Sequence, residues 1–205
     1  MVPTSGTPPV PPDTQTDSLS RSLDDHELKY RSLLQEIAKG NESALTEFYR
    51  SFESRIYAFT NIRLNDSHEA ADLLNDIMWE IWRSAGKYEG RSSVSTWVFG
   101  IAHHRVIDRI RSKSKHRMEP LEVTATEESE EDLYDLLTQK QLGTHMHHCL
   151  DKLSLDQRQT VHMAFFEDLS YREIGEIVGS PEGTIKARMF HAKQALKRCL
   201  TRRIR

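Results

Sequence analysis

Residues 170–197 read SYREIGEIVGSPEGTIKARMFHAKQALK, and their spacing decides the class of fold. Ser170 and Glu173 form an S-x-x-E capping box, two side chains that satisfy orphan N–H groups at a helix start. The helix they open carries Ile174, Ile177 and Val178 on one face. Gly179 stands where a helix end favours positive φ. Ser180-Pro181 predicts a second start, with proline at the first helical position. Beyond it Ile185, Met189, Ala192, Leu196 and Cys199 recur at spacings of 4, 3, 4 and 3. A neighbouring stripe of Lys186, Phe190, Lys193 and Lys197 is cationic. Two helices joined by a three- to four-residue turn, the second basic, match a helix-turn-helix whose second helix enters the major groove. Lys186 and His191 are base-edge candidates, and Phe190 can touch a thymine methyl. Arg188, Lys193 and Arg198 suit phosphates. N–H groups near Gly183 and Thr184 can meet another. An ordinary helical hairpin with a solvated basic face is the plainer reading of the same charges.

Working outward, Ser154 with Gln157 is another capping box, so residues 143–205 predict a tight helical bundle. Residues 116–142 lose the periodicity. They hold Pro120 and the run Glu127-Glu128-Ser129-Glu130-Glu131-Asp132, and read as a flexible acidic linker. Residues 24–115 form a first helical block. There Asp66 and Glu69 open a helix that buries Ala70, Leu73, Leu74, Ile77, Met78 and Ile81. Gly86, Gly90 and Ser92-Ser93 mark a loop, and a further helix starting near Ser95 or Thr96 buries Val98, Ile101, Ala102 and Val106. Residues 1–23 hold five of the seven prolines and read as a disordered tail. With β-branched alternation nearly absent, the chain is expected to be all-α, two small helical domains on a tether.

The 205 residues carry a formal charge of −3, which hides a segregation. Residues 83–118 hold nine Lys and Arg against two acids, and residues 182–205 hold eight against one, a net +7 each. Between them, residues 119–137 hold eight acids and no base. Separate basic blocks suggest a polyanionic partner. No apolar run approaches the roughly 18–20 residues of a membrane span. The N-terminus lacks the pattern of a secretory signal. Two cysteines, Cys149 and Cys199, form no C-x-x-C pair, so a disulfide framework is not expected and a reducing, cytoplasmic setting is the default.

The first basic block interleaves Trp79, Trp82, Tyr88, Trp97 and Phe99 with Arg83, Lys87, Arg91, Arg105, Arg109 and Arg111. Such a mixture suits single-stranded nucleic acid, whose bases stack on aromatic rings while cations follow the backbone. The polar loop 87–95 is long enough to hold an extruded base. The alternative is that most of these rings are core. On the preceding helix Asp72, Asp76, Trp79 and Arg83 make a second stripe. An exposed tryptophan among acids suggests a protein partner, against the blander reading of a solvated face.

The stretch ADLLNDIMWEIW at 71–82, the loop ending STWVFGIAHHRVIDRIR at 95–111, and LSLDQRQTVHMAFFEDLSYREIGEIVGSPEGTIKARMFHAKQAL at 153–196 resemble the bacterial extracytoplasmic-function (ECF) sigma factors, the minimal two-domain members of the sigma-70 family. The likeness covers about 40–115 and 144–203. It implies a region 2-like domain that melts and reads the promoter −10 element as a single strand, and a region 4-like domain that reads the −35 element as duplex. It implies that Asp72, Asn75, Asp76 and Trp79 dock on the β′ clamp helices of core RNA polymerase, with the β flap as a second contact. It places Lys87, Tyr88 and Arg91 in the loop that captures a flipped −10 base, and Trp97, His104, Arg105, Asp108 and Arg109 along the melting helix. In the recognition helix Lys186, Ala187, Phe190 and His191 fall at base-facing positions, and Thr184, Arg188 and Lys193 at phosphate-facing ones. An anti-sigma factor is implied as a further partner. His103-His104 stands where the family often has Arg-Asn, His191 where arginine is frequent, and Ala187 where serine is common.

The run His145-Met146-His147-His148-Cys149 invites a metal reading, with His145, His148 and Cys149 sharing a helical face. A partly exposed helix start is the simpler one, and no metal or cofactor is assigned. Cys199 reads as core. No nucleophile–base set, phosphate-binding glycine loop or carboxylate pair occurs, so no enzymatic activity is expected. A dimeric helix-turn-helix regulator, or a sigma mimic that sequesters an inhibitor, are the competing functions.

Overall fold

The computed structural model describes residues 14–116 and 145–203. Helix α1 (Thr14–Ala38) is followed by α2 (Glu42–Leu64), α3 (Ser67–Ser84), a 3-10 turn (Ala85–Lys87) and α4 (Val94–His116). Residues 145–151 form α5, and α6 (Leu155–Phe165), α7 (Tyr171–Val178) and α8 (Glu182–Arg203) complete the chain. The described residues contain no strand. Of the linker expected at 116–142, His116 ends α4 and the rest lies outside the described residues.

Local chemistry sets the helix ends. Asn41 caps α2 through its side-chain oxygen, which accepts from the N–H groups of Ser43 and Ala44. Asp66 caps α3 by accepting from Glu69 N–H. Both boxes expected in the second domain are complete, Ser154 with Gln157 and Ser170 with Glu173. Gly179 ends α7 at φ +64°. The six-residue stripe read on α3 is buried in full. Val98, Phe99, Ala102 and Val106 of α4 are fully buried, while Ile101 is half-buried.

Four expectations need correction. Helix α1 begins at Thr14, inside the segment read as tail. The prolines stop at Pro12, and nothing after them breaks a helix. Helix α4 starts at Val94, one residue before the start read near Ser95 or Thr96, and the Ser93 hydroxyl accepts from Thr96 N–H. Helix α8 starts at Glu182, so Pro181 precedes it, its carbonyl accepting from Thr184 N–H. Cys149 and Cys199 are joined as a disulfide with Cα atoms 5.7 Å apart. This ties α5 to the end of α8 and overturns the reading of Cys199 as a plain core residue. Adjacency in space permits the bond, and spacing in sequence does not reveal it.

The two helical units pack against each other. Helices α6 and α7 lie against α2 and α4. Met163, Leu169, Ile174, Ile177 and Ile185 join one continuous core with Phe48, Phe52, Phe59, Val98 and Phe99. A smaller cluster of Leu153, Val161, Met189 and Ala192 holds the second unit together.

Candidate nucleic-acid interface

The helix-turn-helix is built around two glycines. Gly179 supplies the left-handed turn that a side chain would strain. Gly175 is set by close approach, since a Cβ there would lie 2.6 Å from the backbone oxygen of Ser180. The turn leaves α8 with a buried face of Ile185, Met189 and Ala192. On the opposite face Thr184, Lys186, Ala187, Phe190, His191 and Lys193 are all exposed. Phe190, 60% exposed, is a large ring in water beside cations, as a base-reading side chain requires. Lys186 pairs with Glu182 at 2.7 Å, and Lys193 lies 5.4 Å over the Phe165 ring. Arg188 differs from its neighbours. It is half-buried and approaches Asp156 of α6, within its own unit, at 3.6 Å.

The loop after α3 is held from both sides. Tyr88 donates its hydroxyl to the Ser92 carbonyl at 2.7 Å, and its ring lies 5.4 Å from that of Trp97. Burial raises the Tyr88 pKa, so the phenol stays protonated and able to donate. Helix α1 supplies the other side. Glu27 accepts from Val94 N–H with both carboxylate oxygens, at 3.1 and 3.0 Å, and so caps α4 from a distant helix. Arg31 is anchored on Glu27 and reaches the Ser92 carbonyl at 3.5 Å. Sequence spacing held no signal for this support, because Glu27 lies 67 residues before Val94. Lys87 and Arg91 remain exposed at the loop, with Arg91 paired to Glu89.

Along α4, Trp97 is half-buried, and His104 and Asp108 are exposed. Arg105 pairs with Glu80 at 2.5 Å and Arg109 with Asp76 at 2.9 Å, so both guanidinium groups are fixed against α3. Asp72, Asn75, Asp76 and Trp79 share one open face of α3. Trp79 is 60% exposed, which settles its half of the aromatic question, while Phe99 is core. His103, on the inner side of α4, is not available to nucleic acid. Burial and the nearby Arg63 guanidinium push its pKa down to about 4. Among the described residues no group of three or more His, Cys, Asp or Glu is placed to hold a metal, and the sulfur of Cys149 is committed to the disulfide.

A helical bundle with a held aromatic loop, joined to a helix-turn-helix with a bare cationic face, defines a two-domain, DNA-binding helical protein. Comparison with known families is specific. The family model of Sigma-70 region 2 matches residues 48–116, and that of Sigma-70 region 4 matches residues 145–196. The chain belongs to the sigma-70 family, in its extracytoplasmic-function group, which is not a family of enzymes. Among its relatives is the ECF RNA polymerase sigma factor SigK of Mycobacterium bovis, 27% identical over 172 residues that cover 82% of this chain and 92% of the relative. SigK of Mycobacterium sp. (strain JLS) is 29% identical over 171 residues, covering 82% and 89%. Among solved structures, CnrH in complex with the cytosolic domain of CnrY has a TM-score of 0.57 at 16% identity, covering 84% of this chain and 97% of that one. RpoE in complex with the anti-sigma factor NepR from Bartonella quintana has a TM-score of 0.58 at 22% identity, covering 76% and 97%. Among the described residues no helix is long and apolar enough to cross a membrane.

Proposed function

We propose that the chain binds core RNA polymerase and directs initiation at promoters whose −35 element is read by α8 and whose −10 element is read by the loop 87–95 and α4. The observation that carries this reading is the pairing, in one chain, of two differently built surfaces. One is a bare recognition-helix face with Lys186, Ala187, Phe190 and His191 toward bases and Thr184 and Lys193 toward phosphates, with the half-buried Arg188 at its edge. The other is an aromatic–basic loop, Lys87, Tyr88 and Arg91, followed by Trp97, His104, Arg105, Asp108 and Arg109. Duplex reading needs the first and single-strand capture needs the second. The exposed Asp72, Asn75, Asp76 and Trp79 face then serves as the polymerase contact, with Trp79 as its anchor. The structural neighbour solved with its anti-sigma factor supports an anti-sigma factor as a further partner.

The test is reconstitution. Core polymerase, the full chain and a promoter library are combined and transcript starts are mapped. Specific starts that depend on the chain are expected, and their absence under every condition refutes the reading. Within that assay, Trp79→Ala weakens core binding while leaving −35 duplex binding intact. Equal loss of both would make Trp79 structural.

A further inference from the structure

We propose that the free chain is held shut by a latch between its two units, in which Glu167 docks on Arg55, and that the closed form cannot read a promoter. The inhibitory part rests on the sigma reading above. The latch itself does not.

Glu167 lies in the turn between α6 and α7, and its side chain is only 1% exposed. The cation that meets it comes from the other unit. Arg55 of α2 donates to Glu167 Oε2 through Nε at 2.8 Å, with Nη2 at 2.5 Å. The same guanidinium lies 4.5 Å over the Phe52 ring and donates to the Ser95 hydroxyl at 3.2 Å, so it is held in place before Glu167 arrives. Within its own unit Glu167 has only His162, whose Nε2 sits 3.3 Å from Oε1 without hydrogen-bonding geometry. A carboxylate buried this deeply is costly unless it is paired. Closure therefore depends on Arg55, and opening returns Glu167 to water.

Two further polar contacts flank the latch. Glu173 accepts from the hydroxyls of Thr96 at 2.7 Å and Ser93 at 3.3 Å. Arg63 donates to Gln159 at 2.9 Å and pairs with Asp156. The units also share an apolar core, in which Met163, Leu169 and Ile174 join Phe59, Val98 and Phe99, so closure rests on apolar burial as well as on these polar contacts.

Closure narrows the approach to α4 and draws in Arg188 of the recognition helix, while Lys186, Phe190 and His191 stay exposed. Trp97, His104, Arg105 and Asp108 line one side of a cleft of about 430 Å³ whose other side includes Glu176 and Ile177 of α7. A DNA strand on that face of α4 would meet an acidic side chain. Arg188 of the recognition helix points into a second cavity, shared with Arg63 and His103. Distance excludes simultaneous reading as well. Two elements about 25 base pairs apart lie roughly 85 Å apart at 3.4 Å per step, whereas here the units touch. The 28 residues 117–144 reach at most roughly 95 Å when extended, so the units can part far enough.

The experiment uses the free full-length chain in four forms: unaltered, Arg55→Glu, Glu167→Arg, and the doubly swapped variant. Small-angle scattering reads the shape. The unaltered chain and the double swap are expected near the roughly 17 Å radius of a compact chain of this length, and each single variant clearly above it. Circular dichroism checks helix content. Should Glu167→Arg lose it, Arg55→Gln and Thr96→Val replace that arm. Affinity for a mixed-sequence 30-base-pair duplex at fixed salt reads the inhibition. Arg55→Glu is expected to bind about tenfold more tightly, although its added negative charge alone would weaken binding. An unaltered chain already as extended as the variants, or single variants that stay compact, overturns the latch. Open variants with unchanged duplex affinity overturn the inhibition. Neither readout involves polymerase, so failure of the latch and failure of the sigma reading are distinguishable.

Discussion

Glu27 shows how one residue on a remote helix can shape a DNA-reading loop. Its carboxylate accepts from Val94 N–H and anchors Arg31 at 2.6 Å, so it caps α4 and steadies the loop before it. Glu27→Ala should cost about 1–2 kcal/mol, the range for losing a helix cap or a charged hydrogen bond. Urea unfolding checks this, and an unchanged midpoint would show that the contact is idle. His103 carries a second residue-scale prediction. Its pKa is about 4 in the fold, lowered first by burial, then by Arg63 and His104, against an ordinary 6.5. Between those values the unfolded chain takes up a proton that the folded chain refuses. Stability should therefore fall as pH drops from about 6.5 toward 4, and His103→Gln should flatten that part of the curve. The Glu173 carboxyl acts lower on the scale. Burial pushes its pKa up, but hydrogen bonds from Thr96, Ser170 and Ser93 outweigh burial and hold it below 4.5. Its contribution is present above that value and is lost on further acidification.

At the scale of elements, the helix-turn-helix depends on features of unequal legibility. Gly179 and the cationic stripe of α8 follow from spacing alone, and the structure keeps them; of the apolar stripe it buries Ile185, Met189 and Ala192 and leaves Leu196 and Cys199 half-buried. Gly175 does not announce itself, because a glycine inside a short apolar helix looks like a weak helix residue. Its reason is tertiary, the approach of the Ser180 carbonyl as the chain turns back. Gly175→Val should lower stability by about 1–3 kcal/mol, as overpacked sites do, and weaken duplex binding with it. Full binding at full stability would show that the turn can yield. The disulfide was equally hidden, since two cysteines 50 residues apart carry no motif. Closing a loop of that length is worth about 4 kcal/mol in the chain-entropy account. Reduction should lower the melting temperature, and a Cys149→Ser/Cys199→Ser variant should start low and ignore the reductant.

At the scale of the whole molecule, local periodicity reports which face of a helix is buried but not what covers it. The stripes of α3 and α7 were readable because 3- and 4-residue spacing is local. The exposed Asp72–Trp79 face was readable for the same reason. The pairing of Arg55 with Glu167 spans 112 residues, and that of Arg63 with Gln159 spans 96. Nothing in either neighbourhood names its partner. Segregated charge suggested two DNA surfaces on a tether, yet the free chain brings its two units into one core. That core runs without a break from Phe59 and Phe99 to Met163, Ile174 and Ile185. A shared core of this kind should make unfolding cooperative. Calorimetry of the oxidised chain is therefore expected to show a single transition. Arg55→Glu should split it, with the smaller C-terminal unit melting first because a short chain buries a smaller share of its surface. Reduction of Cys149–Cys199 should widen the gap by weakening only that unit. Two separate transitions in the unaltered chain would mean that the units fold independently and that their contact adds little to either.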